Sequence, residues 1–64
     1  MTRYYRVDWL LHDRAAFRRR YKVEPRETGG VLSPGPLTHD QACTIVRKTT
    51  AYDWRRLILV EVVP

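Results

Sequence analysis

The chain has few of the residues that build disulfides, metal centres and nucleophilic active sites. Among 64 residues it has one cysteine, Cys43, two histidines and one serine, Ser33. A single cysteine excludes an intrachain disulfide. One cysteine and two histidines cannot fill the four positions of a structural zinc site. Ser33 lies in a Pro/Gly segment, and the pair His12-Asp13 has no nucleophile beside it. We therefore expect no metal, no cofactor and no enzymatic activity.

Long hydrophobic runs are also absent. The longest apolar run, residues 57–60, is far too short to cross a bilayer. Residues 2–8 are charged and aromatic and lack the apolar core of a signal peptide. We expect a cytoplasmic protein without a membrane partner, and one free cysteine fits a reducing compartment. A single domain over residues 1–64 has a marginal core, which makes self-association a plausible supplement to it.

The chain is rich in arginine, with ten Arg against two Lys and a net charge of +5. Residues 1–30 carry eight basic against four acidic side chains, whereas residues 31–64 carry four against three. This asymmetry indicates an acidic partner, either a protein surface or a nucleic acid. A solvated basic face that keeps the protein soluble would have the same composition.

Two strands and one helix are indicated by residue periodicity. Residues 3–11 alternate, with Tyr5, Val7, Trp9 and Leu11 on one face. Residues 55–63 form a strand that is apolar on both faces and needs cover on both. The helix over residues 38–49 begins with a Thr38–Gln41 capping box. His39 and Cys43 lie four apart on it, a spacing that fits one ligand but by itself makes no metal site.

The segment between these elements is less clear. Residues 17–24 favour a second strand, joined to the first by a hairpin connection around residues 12–16. A helix over residues 10–21 with Asp13 as its N-cap is the alternative. Residues 25–37 contain three prolines and three glycines and are predicted to form a long loop.

These elements predict a small α+β domain with the order β-β-α-β. A right-handed crossover through the helix places the first strand in the centre, so the antiparallel sheet has the order 2-1-3. The helix is expected on one face of that sheet, over Tyr5, Val7, Trp9, Phe17, Tyr21, Ile58, Val60 and Val62. The last strand is then an apolar edge, which favours a homodimer through residues 57–63.

The candidate partner-binding surface combines cations and aromatic rings. If residues 17–24 are extended, three cations project from one face at intervals of about 6.6 Å. A second group lies where the last strand begins. Its two aromatic residues precede the strand in a predicted loop, where an exposed ring would anchor a partner, and its two arginines are the first residues of the strand. The candidate residues are Arg18, Arg20, Lys22, Tyr52, Trp54, Arg55 and Arg56. Arg, Tyr and Trp dominate the binding energy of protein interfaces, while cations and stacking rings also suit single-stranded nucleic acid.

One stretch carries a likeness to known sequences. Residues 36–42, Pro-Leu-Thr-His-Asp-Gln-Ala, are followed by a helix and a terminal valine-rich strand. This half of the chain resembles the ending of many small uncharacterised proteins from actinobacteria and their phages. The resemblance implies an α+β mini-domain and a phage-encoded accessory protein, and it assigns no site residues. We expect a basic interaction module that binds a host or phage protein, with nucleic-acid binding as the alternative.

Overall fold

Strand β1, Tyr4–Leu11, is the middle strand of a three-stranded sheet. The computed structural model describes residues 2–63. The further elements are α1 (Arg14–Tyr21), β2 (Gly29–Leu37), α2 (His39–Lys48) and β3 (Arg55–Val62). The strand order is β2-β1-β3, and both neighbouring pairs are antiparallel. The predicted α+β class is confirmed, with two helices where the sequence predicts one.

The pairing of β1 with β3 is regular along both strands. Tyr4 lies opposite Val62 and Leu11 lies opposite Arg55, without an interruption between them. Val7, near the middle of β1, has no exposed surface. Aromatic and β-branched side chains favour extended backbone in both segments. The strands predicted over residues 3–11 and 55–63 are therefore confirmed.

Both helices lie on the face of the sheet that carries Tyr5 and Trp9. The Tyr5 ring meets the His39 ring of α2 edge-on, with 5.5 Å between the ring centroids. Trp9 meets Trp54 at 6.0 Å, and Trp54 in turn meets Phe17 of α1 at 5.1 Å. On β1 this is the face that the sequence predicts beneath a helix.

On β3 the predicted face is wrong. Val7 lies opposite Leu59, and Trp9 lies opposite Leu57. Because directly opposite residues share a face of an antiparallel pair, these two leucines lie on the helix side. The face without helices carries the residues predicted beneath the helix: Ile58, Val60 and Val62. Since β3 is apolar on both faces, its alternation does not reveal which face is covered.

The predicted strand over residues 17–24 is wrong. The helical alternative is correct from Arg14 to Tyr21, whereas Leu10 and Leu11 at its predicted beginning belong to β1. The Asp13 carboxylate caps α1 by accepting a hydrogen bond from the Ala16 amide at 3.0 Å. Lys22 ends the helix in the left-handed conformation, with φ 63°. The cap and the two alanines at positions 15 and 16 favour a helix more strongly than the following residues favour a strand. Ala16 is only 3% exposed, so packing also stabilises this turn.

The predicted loop over residues 25–37 is also wrong, because β2 occupies Gly29–Leu37. Its pairing with β1 is irregular, with register shifts on both sides of Val7. Pro34 and Pro36 lack the N–H that a central strand needs, which is why they predict a loop. An edge strand tolerates such residues because one side of its backbone has no partner strand.

Helix α2 begins and ends as predicted. The Thr38 amide donates to Gln41 Oε1 at 2.9 Å, and the Gln41 amide donates to Thr38 Oγ1 at 3.2 Å. Ala42, in the first half of this helix, has no exposed surface. Among residues 2–63, neither helix has the length and apolar content required to cross a membrane.

Replacement of Asp13 tests the cap of α1. Asp13→Ala removes the acceptor for the Ala16 amide, and we expect the free energy of unfolding to fall by about 1 kcal/mol. Asp13→Asn keeps an acceptor and should stay close to the wild type. Urea unfolding followed by tryptophan fluorescence measures both. Equal losses for the two variants would contradict this account of how α1 begins.

Candidate protein-interaction site

The structure brings four of the seven predicted site residues together. They are Arg20, Tyr52, Trp54 and Arg55. The other three lie apart from this group. Arg18 and Lys22 lie beside Glu24 at the end of α1, and Arg56 is opposite Leu10 on the sheet face without helices. The outward row of three cations predicted from an extended segment is therefore wrong.

Tyr52 holds two guanidinium groups. The Arg20 Cζ atom lies 4.8 Å from the centroid of the Tyr52 ring, and the Arg55 Cζ atom lies 4.9 Å from it. Neither arginine forms a salt bridge with a carboxylate of residues 2–63. Arg55 donates from Nη2 to the Thr50 carbonyl at 3.4 Å, whereas Arg20 is exposed. Arg20 therefore combines an orienting ring contact with donors that remain available to an acidic group.

Trp54 lies in the turn before β3, as predicted, but it is a core residue and not an exposed one. It is 8% exposed. Its ring stacks on Tyr52, with 5.4 Å between centroids and 23° between planes. Its backbone carbonyl accepts from the amides of His12 at 2.8 Å and Asp13 at 3.1 Å. The indole N–H is buried and has no hydrogen-bond partner in the described part of the chain.

A cleft of about 380 Å³ lies between α1, the segment after it and β1. Its lining is aromatic and aliphatic on the inside and charged at the rim. The lining residues are Trp9, Leu11, Phe17, Val23, Glu24, Pro25, Arg26, Glu27 and Trp54. Val23 at the margin of the cavity is 59% exposed, so its side chain is accessible to a partner. The volume is in the range of sites that take small ligands or a partner's side chain.

The segment from Val23 to Glu27 is not among the site residues that the sequence predicts. Its signal is an exposed apolar residue followed by Glu24 and Pro25 directly after a left-handed helix end. That signal becomes readable only when Lys22 is known to end a helix. When residues 17–24 are taken as a strand, Val23 is assigned to an interior face.

Arg14 and Arg18 of α1 bind the same carboxylate on this rim. Arg18 Nη1 is 3.0 Å from Glu24 Oε1, and Arg14 Nη2 is 3.3 Å from Glu24 Oε2. The hydrogen bond and charge of Arg18, followed by those of Arg14, lower the pKa of Glu24. One of the predicted cations is thereby engaged inside the molecule and does not face a partner.

The His39–Cys43 pair is close, with 3.6 Å between His39 Nδ1 and Cys43 Sγ. His12 is elsewhere, at the junction of β1 and α1. Within residues 2–63 there is no group of three or more His, Cys, Asp and Glu side chains that could hold a metal ion. Asp13, the neighbour of His12, serves as the helix cap described above.

The charge on Glu24 provides a test of the rim geometry. Arg18→Gln should raise the pKa of Glu24 more than Arg14→Gln does, because Arg18 makes the shorter bond. The native pKa lies below the value of 4.5 for an unperturbed glutamate. The two contacts therefore stabilise the fold above that value, and their contribution is lost as pH falls through the native pKa. An NMR titration of the Glu24 carboxyl carbon measures the shift, and a larger effect of Arg14→Gln would contradict the assignment.

Comparison of this chain with known protein families, curated proteins and solved structures finds no match.

Proposed function

We propose that the chain is a non-enzymatic protein-interaction module. It binds a segment of a partner protein that presents an apolar side chain next to an acidic one. The observation that carries this proposal is an aromatic-walled cleft that shares one wall, Trp54, with the pair of guanidinium groups on Tyr52. The apolar side chain enters the cleft, and the acidic side chain meets Arg20.

The cleft suits an apolar anchor. Trp9, Phe17 and Trp54 form its walls, and rings of this kind give large contact areas at little cost in side-chain entropy. A side chain that leaves water for this space gains about 25 cal/mol for each Å² of apolar surface buried. Anchors that fill such pockets carry most of the binding energy in protein interfaces.

Arg20 gives the site a preference for acidic segments. Its guanidinium is held 4.8 Å from the Tyr52 ring centroid and has no salt-bridge partner in residues 2–63. A guanidinium already positioned on a ring loses less freedom when it binds a carboxylate. Because Tyr52 stacks on Trp54 at 5.4 Å, the acid and the apolar anchor would lie within a few residues of each other.

Nucleic-acid binding is the second candidate. Two guanidinium groups on a tyrosine favour it, since phosphates and unpaired bases bind to such groups. The row of cations predicted to follow a phosphate backbone does not form, because residues 14–21 are helical and Arg18 is bound to Glu24. Protein binding is therefore the first candidate.

The likeness to phage proteins fits an accessory role of this kind. On that basis we propose a phage-encoded protein that acts in the host cytoplasm on a host or phage protein, without a membrane partner. The selection experiment below determines which segments of a partner protein the site binds.

Selection from a random peptide library tests the apolar anchor. We expect peptides enriched on the wild-type protein to contain an apolar residue close to an Asp or Glu. Val23→Arg should weaken their binding at least tenfold, about 1.4 kcal/mol, because the new side chain blocks the margin of the cleft. Val31→Arg is the matched control. Val31 is similarly exposed, at 54%, and lies opposite Asp8 on the other sheet face. Selected peptides that bind Val23→Arg as tightly as the wild type would contradict the proposal.

Neutralisation of Arg20 tests the acidic preference separately. Arg20→Gln should weaken the selected peptides about fivefold, about 1 kcal/mol. Arg19→Gln removes the same charge from a residue with no ring contact or ion pair in the described chain and should have little effect.

A salt titration with nucleic acid tests the second candidate. An oligothymidine and a DNA duplex are titrated with the wild type between about 50 and 200 mM salt. Tight oligothymidine binding with a steep salt dependence, and no selected peptide, would favour the second candidate.

A further inference from the structure

The two edges of the sheet differ in their protection against further pairing. The β2 edge carries Pro34 and Pro36, which have no N–H, and its pairing is interrupted by register shifts. The β3 edge has the sequence RRLILVEV without proline or lysine, and its pairing with β1 is uninterrupted. Prolines, bulges and charged side chains are features by which edge strands avoid new partners. The charged residues of β3 lie towards its ends, at Arg55, Arg56 and Glu61, and residues 57–60 in its middle are all apolar, so β3 is the less protected edge.

We propose that β3 pairs antiparallel with β3 of a second copy, about a two-fold axis that passes through Ile58. The two three-stranded sheets then form one continuous six-stranded sheet. This proposal does not rest on the proposed function, although Arg55 belongs to both surfaces. The occupant of the edge is a second copy because the strand is complementary in charge to itself.

Symmetry limits the possible registers. A two-fold axis perpendicular to the sheet keeps the helices of both copies on one side. Residues that lie opposite each other must then come from the same face. Only two axes lie near the middle of β3, one through Ile58 and one through Leu59. These two registers differ in which residue meets Glu61.

Charge selects the Ile58 axis. In this register Arg55 lies opposite Glu61 of the second copy, and the symmetric pair forms as well. In the Leu59 register Glu61 would lie opposite Leu57. Opposite charges in cross-strand pairs are favourable by about 0.2–1 kcal/mol each, whereas a leucine offers a carboxylate nothing.

Neither charged residue has a close ion pair within one copy. Arg55 forms no salt bridge in residues 2–63, although its Nη2 donates to the Thr50 carbonyl at 3.4 Å and its guanidinium lies against the Tyr52 ring. Glu61 has only a long contact of 3.9 Å with Arg3. The Glu61 side chain is 56% exposed. On the face without helices, Ile58 meets Ile58 of the second copy, and this contact extends the apolar row of Val60 and Val62.

Cysteine cross-linking measures the register. In a Cys43→Ser background, Ile58→Cys places two thiols directly opposite each other, and oxidation should give a covalent dimer. Val60→Cys is the control. Its two copies are offset by four residues, about 13 Å along the strand, which is beyond the reach of a disulfide. Cross-linking of Val60→Cys but not Ile58→Cys would overturn the register. A monomer by sedimentation at high micromolar concentration, with no cross-link in either variant, would overturn the dimer itself.

A charge exchange tests the same contact without cysteines. Arg55→Glu and Glu61→Arg should each weaken the dimer, because like charges then face each other twice. An equimolar mixture of the two variants should recover it, since the heterodimer restores both opposite-charge pairs. Dimerisation of Arg55→Glu alone at wild-type strength would overturn the proposal. Arg20→Gln, which affects the peptide site, should leave sedimentation unchanged, so failure of one proposal is distinguishable from failure of the other.

Discussion

Burial of the Trp54 ring among four other rings is the interaction on which the rest of the structure depends. The ring meets Phe17 and Tyr21 of α1, Trp9 of β1 and its near neighbour Tyr52. Its carbonyl accepts the two amides at the junction of β1 and α1. One residue therefore holds the first helix to the sheet, forms a wall of the cleft and supports the ring that orients the arginines. In a chain this short, the rest of the core is too small to replace these contacts.

Elements with one dominant signal could be predicted from the sequence. The Thr38–Gln41 capping box specifies the beginning of α2, and the alternation from Tyr5 to Leu11 specifies β1. Where local signals compete, tertiary contacts decide. Residues 17–24 have side chains suited to a strand, yet the Asp13 cap and the contact of Phe17 with Trp54 select a helix. The pattern of apolar and polar residues in the sequence does not reveal the contact of Phe17 with Trp54.

The candidate site was predictable in its residue types and not in its geometry. Arg20, Tyr52 and Arg55 come together because α1 is a helix whose Arg20 lies above the loop that precedes β3. Arg18, two residues earlier, lies on another side of the same helix and is bound by Glu24. In an extended segment these two arginines would share one face, as the sequence predicts. In a helix with 3.6 residues per turn, two residues that are two positions apart point in nearly opposite directions, so the environments of Arg18 and Arg20 differ.

The close approach of Gly30 to the Trp9 indole has a consequence for recognising relatives of this protein. A Cβ atom on residue 30 would lie 2.8 Å from Trp9 Nε1, a distance that forces the ring to move. Trp9 and Gly30 lie opposite each other in the sheet, and the indole lies so close to residue 30 that a side chain larger than a hydrogen atom does not fit beside it. A homologue that keeps the tryptophan should keep the glycine, and one that loses the glycine should carry a smaller residue at position 9. Covariation between these two columns of an alignment would therefore mark the pairing of β1 with β2 in related sequences.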